Sequence, residues 1–370
     1  MGAFAVAGAA PKALVPPRGP LRRLHGGKDG VSRVCRQARA VRVMASSSSE
    51  INHDSKLDAA FAFAETYTKH SSATFYFATR LMTKGTRTKV WAIYAWCRAL
   101  DETVDGVEAL DAGSEFASRE LNAIENRLKH VFDDKTNYAY GASENDGDAQ
   151  LITTALAHTV ETTPGMTVDP FLDMVTGMRQ DLSDTETVFN DWNELRLYCY
   201  RVAGTVGLMT LPVLGTAEGY SIEEATPPGI DLGIALQLCN IIRDVGEDAR
   251  QRKRVYIPND MMAKHGISRE EILSLAASSS ETTLSTSPNY ANLIEELIQL
   301  AEWHFDSATS GTKMLSPGAR VPVLAAGEMY GALLQKVRDN NYDNLTRRAY
   351  TTTGEKFAVL PRVVKKAWFE

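Results

Sequence analysis

Cysteine is scarce in this chain, with four in 370 residues. Cys35, Cys97, Cys199 and Cys239 are widely separated, which excludes a disulfide framework and a C-x-x-C metal site. Alternating runs of strand type are also rare, and no G-x-G-x-x-G fingerprint of a nicotinamide-binding fold occurs. No repeat of the length used by solenoids or propellers is present. The most apolar stretch, "VAGTVGLMTLPVLG" (202–215), contains a proline and falls short of the roughly 20 residues a membrane span needs. Basic residues are in deficit beyond residue 44, where 31 face 45 acids, a net charge of −14 that argues against a nucleic-acid partner. An anionic ligand would therefore have to be met by locally concentrated positive charge.

What the chain does have is helical periodicity. Apolar residues recur at helical spacing over 57–70, 86–105, 115–131, 149–160, 169–182, 191–214, 229–250, 290–308 and 318–340. Polar or turn-forming stretches interrupt them at 133–148, at "TPPG" (226–229) and at the Ser/Thr-rich 278–289. The pattern predicts one all-α domain over 57–370, preceded by a linker at 45–56. Residues 1–44 carry nine basic residues against Asp29 alone and lack the compact apolar core of a secretory signal. They read as an organellar transit peptide with a processing point near "VRVMASSSSE" (41–50), the other reading being a disordered basic tail.

Two helices carry matching polar stripes. In "VWAIYAWCRALDETVD" (90–105), Tyr94, Arg98, Asp101 and Asp105 fall within about 60° of one another at 100° per residue. In "DLGIALQLCNIIRDVGED" (231–248), Gln237, Asn240, Asp244 and Asp248 fall within about 80°. Both helices are apolar on most other sides, so the carboxylates are expected to point inward, where bare charge is costly. Repelling acids one turn apart call for cations. With no His or Cys at liganding spacing, an all-oxygen donor set favours Mg²⁺ or Mn²⁺ shared with substrate phosphates. The alternative is a buried ion-pair network using Arg98 and Arg243. Arg243, Arg250, Arg252, Lys253 and Arg254 are candidates to grip phosphate oxygens, some of them serving only as surface charge. Gly246 lies inside the acidic segment, as suits a backbone that something must approach closely.

At these residues the chain resembles the squalene and phytoene synthase family. "DETVD" (101–105) and "DVGED" (244–248) look like its two Asp-rich motifs, and "WAIYAWCR" (91–98), "YCYRVAGTVG" (198–207), "GEDARQRKRVYIP" (246–258) and "NNYDNLTRRAY" (340–350) extend the similarity over most of the body. The resemblance, closest to the plastid members, implies an isoprenoid-synthase-type helical bundle around a central cavity. It implies head-to-head condensation of two geranylgeranyl diphosphates through a cyclopropyl diphosphate to phytoene, which opens carotenoid biosynthesis in the chloroplast.

By position it assigns Asp101, Asp105, Asn240, Asp244 and Asp248 to metal ligands or their neighbours. Tyr94, Arg98, Gln237, Arg243, Tyr330 and Arg347 go to the diphosphates, and Thr74 and Phe75 of "SSATFYFA" to an amino-terminal substrate segment. Tyr198 is assigned to the cavity region, to position the chain or handle a proton, with a plain buried hydrogen bond as its other reading. Val202, Ala203, Val206, Gly207, Leu232 and Leu236 are expected to line the hydrocarbon pocket. Phe75, Tyr94 and Phe171 offer aromatic faces to a carbocation, or fill the core.

One departure stands out. Ala73 occupies a place where related sequences often carry Lys, leaving Lys69 and Arg80 as candidates to compensate. The expected cofactor is Mg²⁺ or Mn²⁺ without a nicotinamide. Because substrate and product partition into lipid, peripheral association with a plastid membrane through an apolar patch is expected, with other carotenoid-pathway enzymes as possible neighbours and no nucleic acid. The competing activities are squalene or dehydrosqualene synthesis from farnesyl diphosphate, and a non-catalytic assembly role. A short, charged 354–370 in place of a membrane anchor weighs against squalene synthesis. Complete Asp pairs in both stripes weigh against a scaffold.

Overall fold

A computed structural model describes residues 53–105, 113–133, 147–182, 188–276 and 287–369. The expected leader 1–44, the linker up to residue 52, and the loop stretches 134–146 and 278–286 lie outside the described residues. The elements in chain order are α1 (His53–Ser71), α2 (Ala73–Thr79), α3 (Lys84–Asp105), α4 (Ser114–Asp133), α5 (Gly147–Glu161) and α6 (Asp169–Gln180). Then α7 (Trp192–Cys199) continues through a π-type turn at Tyr200–Gly204 into α8 (Thr205–Leu214), followed by α9 (Ile222–Gln251), α10 (Asn259–Lys264) and α11 (Arg269–Ala276). The chain closes with α12 (Pro288–Gly311), α13 (Pro317–Asp339), α14 (Thr353–Ala358) and α15 (Leu360–Phe369). Among the described residues the one β pairing is an isolated bridge between Thr216 and Leu315.

All nine periodic segments are helical, and the first helix starts inside the expected linker, at His53. The "TPPG" turn is a correction: Pro227 and Pro228 lie within α9. A capping box nucleates the helix ahead of them, with Glu224 N–H donating to Ser221 Oγ (3.2 Å) and Ser221 N–H donating to Glu224 Oε2 (2.8 Å). Pro228 then packs so closely on α12 that a Cβ on Gly311 would lie 2.1 Å from its own Cβ. Tertiary packing thus overrides the local breaker signal.

Helix α9 is the spine, packed along α12 and against α8, the π-type turn and α13. Small residues set how near the α7–α8 run approaches it: a Cβ on Gly233 would meet Ala203 O at 2.2 Å, and one on Gly207 would meet Gly229 O at the same distance. The run Trp192–Leu214 is long and apolar enough, by length and composition, to cross a membrane, which corrects the expectation drawn from 202–215 alone. Here its apolar character serves the interior, because Val202, Ala203, Val206, Gly207, Thr210, Leu211 and Leu214 line the main cavity.

A polar strut fastens α9 to α12. His304, 1% exposed, shares a 2.7 Å hydrogen bond between Nδ1 and Asp231 Oδ1, and Ser307 Oγ donates to Asp231 Oδ2. Burial holds the His304 imidazole below its ordinary protonation range although Asp231 pulls the other way. A depressed histidine contributes stability that is full above the unfolded value near 6.5 and lost as pH falls through the folded value. The urea midpoint should therefore fall more between pH 7.5 and 5.5 in the wild type than in His304→Asn, measured by circular dichroism. Equal falls would remove His304 from the account.

Candidate active site

The main cavity, of about 290 Å³, is bounded by α2, α3, α6, the α7–α8 run, α9, α12 and α13. Most of its wall is apolar: Ala78, Met82, Val90, Met174, Leu232, Leu236, Pro322 and Val323 join the residues of the α7–α8 run. Polar groups gather from the two stripes, Tyr94, Arg98 and Asp101 of α3 and Gln237 and Asn240 of α9, with Tyr330 of α13. The two helices reach this wall with their polar faces because the opposite faces are consumed by core residues such as Trp91, Ile93, Leu100, Ile234, Leu238 and Ile241.

Guanidinium groups compensate the acids. Arg98 pairs with Asp101 and donates from Nε to Glu102 Oε1 (3.0 Å), whose other oxygen accepts from Tyr67 Oη at 2.5 Å. Burial opposes the charge on Arg98, yet Asp101 and Glu102 hold its pKa above the ordinary value. One turn beyond Asn240, Asp244 is gripped twice, by Arg243 (Nε to Oδ1, 2.8 Å; Nη2 to Oδ2, 2.5 Å) and by Arg348 (Nε to Oδ1, 2.7 Å). Arg348 Nη1 also reaches Glu247 Oε2 at 2.9 Å. Phe75 stacks on Tyr94 with ring centroids 4.7 Å apart. Burial raises the pKa of both Tyr94 and Tyr330. Both phenols therefore stay protonated at neutral pH and serve as hydrogen-bond donors rather than bases.

A greasy chamber lined at its polar end by Asp101 and Arg98, with the Arg243–Asp244–Arg348 group one helical turn beyond Asn240 and off the lining, suits an amphiphile with an anionic head. Comparison with known proteins agrees. The squalene/phytoene synthase family profile matches residues 68–355. This chain belongs to the squalene/phytoene synthase family. It is 40% identical over 290 residues to chloroplastic phytoene synthase 2 of Solanum lycopersicum, covering 78% of this chain and 84% of that one. It is 39% identical to chloroplastic phytoene synthase 1 of Zea mays, over 78% of this chain and 64% of the relative. Among solved structures it is similar to a dehydrosqualene synthase crystallised with a ligand (27% identity, TM-score 0.67, 84% of this chain and 97% of the other). The chloroplastic names of the relatives support a plastid location.

The fold gathers only part of the expected site at the squalene/phytoene synthase cavity. Phe75, Tyr94, Arg98, Asp101, Gln237, Asn240 and Tyr330 line it, as do all six expected hydrocarbon-pocket residues, Val202, Ala203, Val206, Gly207, Leu232 and Leu236. Asp105 ends α3, and its side chain lies outside the described residues. Asp248 is buried and bound by Arg252 Nη1 at 2.6 Å.

The other candidate residues lie away from the cavity lining. Thr74 is on α2 but off the lining, because the short helix turns Phe75, Ala78 and Thr79 inward instead. Tyr198 also lies off the cavity: its Oη donates to Asp181 Oδ2 (2.8 Å) and its ring stacks on Tyr256, so its structural reading is the one the geometry favours. Phe171 is fully buried against Trp96 and Phe132 in the core. Arg347 is exposed and within 3.8 Å of Asp343, whereas its neighbour Arg348 holds Asp244. Arg250 and Arg254 spend hydrogen bonds on the carbonyls of Leu345 (2.5 Å) and Asp181 (2.7 Å), so the basic run "ARQRKR" is largely structural. Neither candidate for the missing lysine lines the cavity: Lys69 and Arg80 are exposed, and Arg80 bonds Tyr76 Oη.

The family depends in general on a divalent metal ion. The donors here fit one by their chemistry, since Asp101, Asn240 and Asp244 offer oxygen and the cations now beside the acids show that positive charge is stable there. Among the described residues no group of three or more His, Cys, Asp or Glu is gathered to hold an ion unaided.

Gly246 explains how Arg348 arrives. A Cβ there would lie 2.0 Å from Leu345 O, so the close approach is by the 340–350 segment of this chain rather than by a ligand. Gly246→Ala should push that segment off α9 and cost about 1–3 kcal/mol, as overpacking does, read from urea unfolding. An unchanged midpoint would contradict the packing described.

Proposed function

We propose that this chain is a phytoene synthase that condenses two geranylgeranyl diphosphates head-to-head, through prephytoene diphosphate, to 15-cis-phytoene. The observation that carries this reading is the union of one apolar cavity with Asp/Arg stripes from α3 and α9. Similarity near 40% to phytoene synthases, against 27% to the dehydrosqualene synthase, supports the C20 substrate over farnesyl diphosphate.

Ionisation of an allylic diphosphate needs its leaving charge neutralised as the C–O bond breaks. Arg98, Arg243 and Arg348 bring fixed guanidinium groups to that end, and Tyr94 and Tyr330 add neutral donors. Mg²⁺ or Mn²⁺ held by Asp101, Asp105, Asn240, Asp244 and Asp248 would supply further electrophilic stabilisation of the diphosphate. The remaining wall, including Leu232, Leu236 and Val206, keeps water from a carbocation, and the stacked Phe75 and Tyr94 add aromatic rings to that wall. No residue in this scheme requires a nicotinamide.

Two tests follow from this assignment. Protein lacking residues 1–44, given geranylgeranyl diphosphate and Mg²⁺ or Mn²⁺ without NADPH, should yield phytoene. Asp101→Asn and Asp244→Asn should each lower turnover at least 100-fold with circular dichroism unchanged. Squalene formed from the C15 substrate only with NADPH would overturn the assignment, and full activity in both variants would remove the acids from it.

Peripheral membrane association belongs to the same reading. Its support is an exposed apolar flank on the C-terminal helices, with Phe357 54%, Val364 44% and Trp368 55% exposed, beside the exposed Arg362. Lipid-coated sedimentation should show Val364→Asp/Trp368→Ala binding anionic plastid-lipid vesicles at least fivefold more weakly than the wild type. Equal binding would place the contact elsewhere.

A further inference from the structure

Segment 340–350 reaches the acidic turn of α9 through a residue that spends every polar group it has. Asn344 is 3% exposed. Its N–H donates to Tyr342 O (2.9 Å), its carbonyl accepts from Gly246 N–H (3.2 Å), its Oδ1 accepts from Tyr290 Oη (2.5 Å) and its Nδ2 donates to Ile242 O (2.6 Å). Ile242 and Gly246 are four residues apart and bracket Arg243 and Asp244. Asn344 therefore grips, from behind, the single helical turn whose front carries the doubly bound carboxylate.

The rest of the segment depends on that grip. Asn341 and Tyr342 both have positive φ (54° and 61°), a conformation costly for residues with side chains, and Tyr342 Oη donates to Glu295 Oε2 at 3.1 Å. Asp343 then turns the chain by accepting from Thr346 N–H at 2.9 Å. Four residues after Asn344, Arg348 is delivered to Asp244 and Glu247. Tyr290, fully buried on α12, fixes which way the Asn344 amide faces, because its hydroxyl bonds the oxygen and leaves the nitrogen for Ile242.

We propose that Asn344, oriented by Tyr290, is a positioning residue that sets the place of Arg348 and Asp244 and thereby the affinity of this end of the cavity for diphosphate. The inference rests on the functional reading above, in which Arg348 meets the leaving diphosphate and Asp244 would hold a divalent ion. It differs from a simple stabilising role because it acts through Arg348 and not through the fold as a whole.

The test is a double-variant cycle read by calorimetric binding of inorganic pyrophosphate with Mg²⁺ to the folded protein, alongside thermal midpoints. Arg348→Ala is expected to weaken pyrophosphate binding about tenfold, Asn344→Ala by a similar factor, and the two together by no more than Arg348→Ala alone. Tyr290→Phe removes one hydroxyl without opening a cavity and should give a smaller loss of the same kind, which keeps the test available if Asn344→Ala does not fold. Additive losses, or a lowered midpoint with pyrophosphate affinity intact in Asn344→Ala and Tyr290→Phe, would overturn the positioning role while leaving the site reading standing. No loss in Arg348→Ala would overturn both.

Discussion

The structure turns on the compensation of carboxylates by guanidinium groups beside an apolar chamber. Asp101 and Asp244 stand on helices whose other faces are packed into the core, and acids in such a setting would be neutralised by protonation or expelled unless cations stood beside them. Arg98, Arg243 and Arg348 provide those cations, each kept charged against the cost of burial by the acids it touches. A diphosphate with divalent ions matches this arrangement in sign: the anion can take the arginines and the ions can take the acids. Charge is conserved in the exchange, which is the electrostatic reason a body of net negative charge can bind an anionic substrate.

The backbone geometry follows from the need to bring these groups together. Glycine at 207, 233 and 246 removes side chains where the α7–α8 run and the 340–350 segment press on α9. The π-type turn at Tyr200–Gly204 lets one helical run both pack on α9 and present Val202 and Ala203 to the chamber. The C-terminal segment closes the acidic end from a distance in sequence of about a hundred residues, so part of the site exists only once the chain is folded.

That last point separates what could be read in the sequence from what could not. Periodicity of 3.6 placed the long helices, and the angular coincidence of Tyr94, Arg98 and Asp101, and of Gln237 and Asn240, identified residues that do share one cavity. Both stripes were legible because they are local: a helix converts spacing directly into a common face. Arg348 was not, since the choice between it and Arg347 is made by two positive-φ residues and the Asn344 anchor, none of which leaves a periodic trace. For Tyr198 and Phe171 the sequence left two readings open, since an aromatic on a buried face meets the core or the cavity according to neighbours distant in sequence, and the structure takes the core reading of both. The Pro227–Pro228 pair was misleading because its cost is offset by a capping box and by contact with Gly311.

The central claim is that the α3 and α9 stripes act on one shared, metal-bridged diphosphate. The most direct measurement is anomalous diffraction from crystals grown with Mn²⁺ and a non-ionising thiolo analogue of geranylgeranyl diphosphate. The account predicts manganese peaks at the polar end of the cavity with Asp101 and Asp244 oxygens among the ligands and the prenyl chain lying along Leu232 and Leu236. Analogue bound with its head at another part of the surface, or manganese peaks that include neither aspartate, would contradict it.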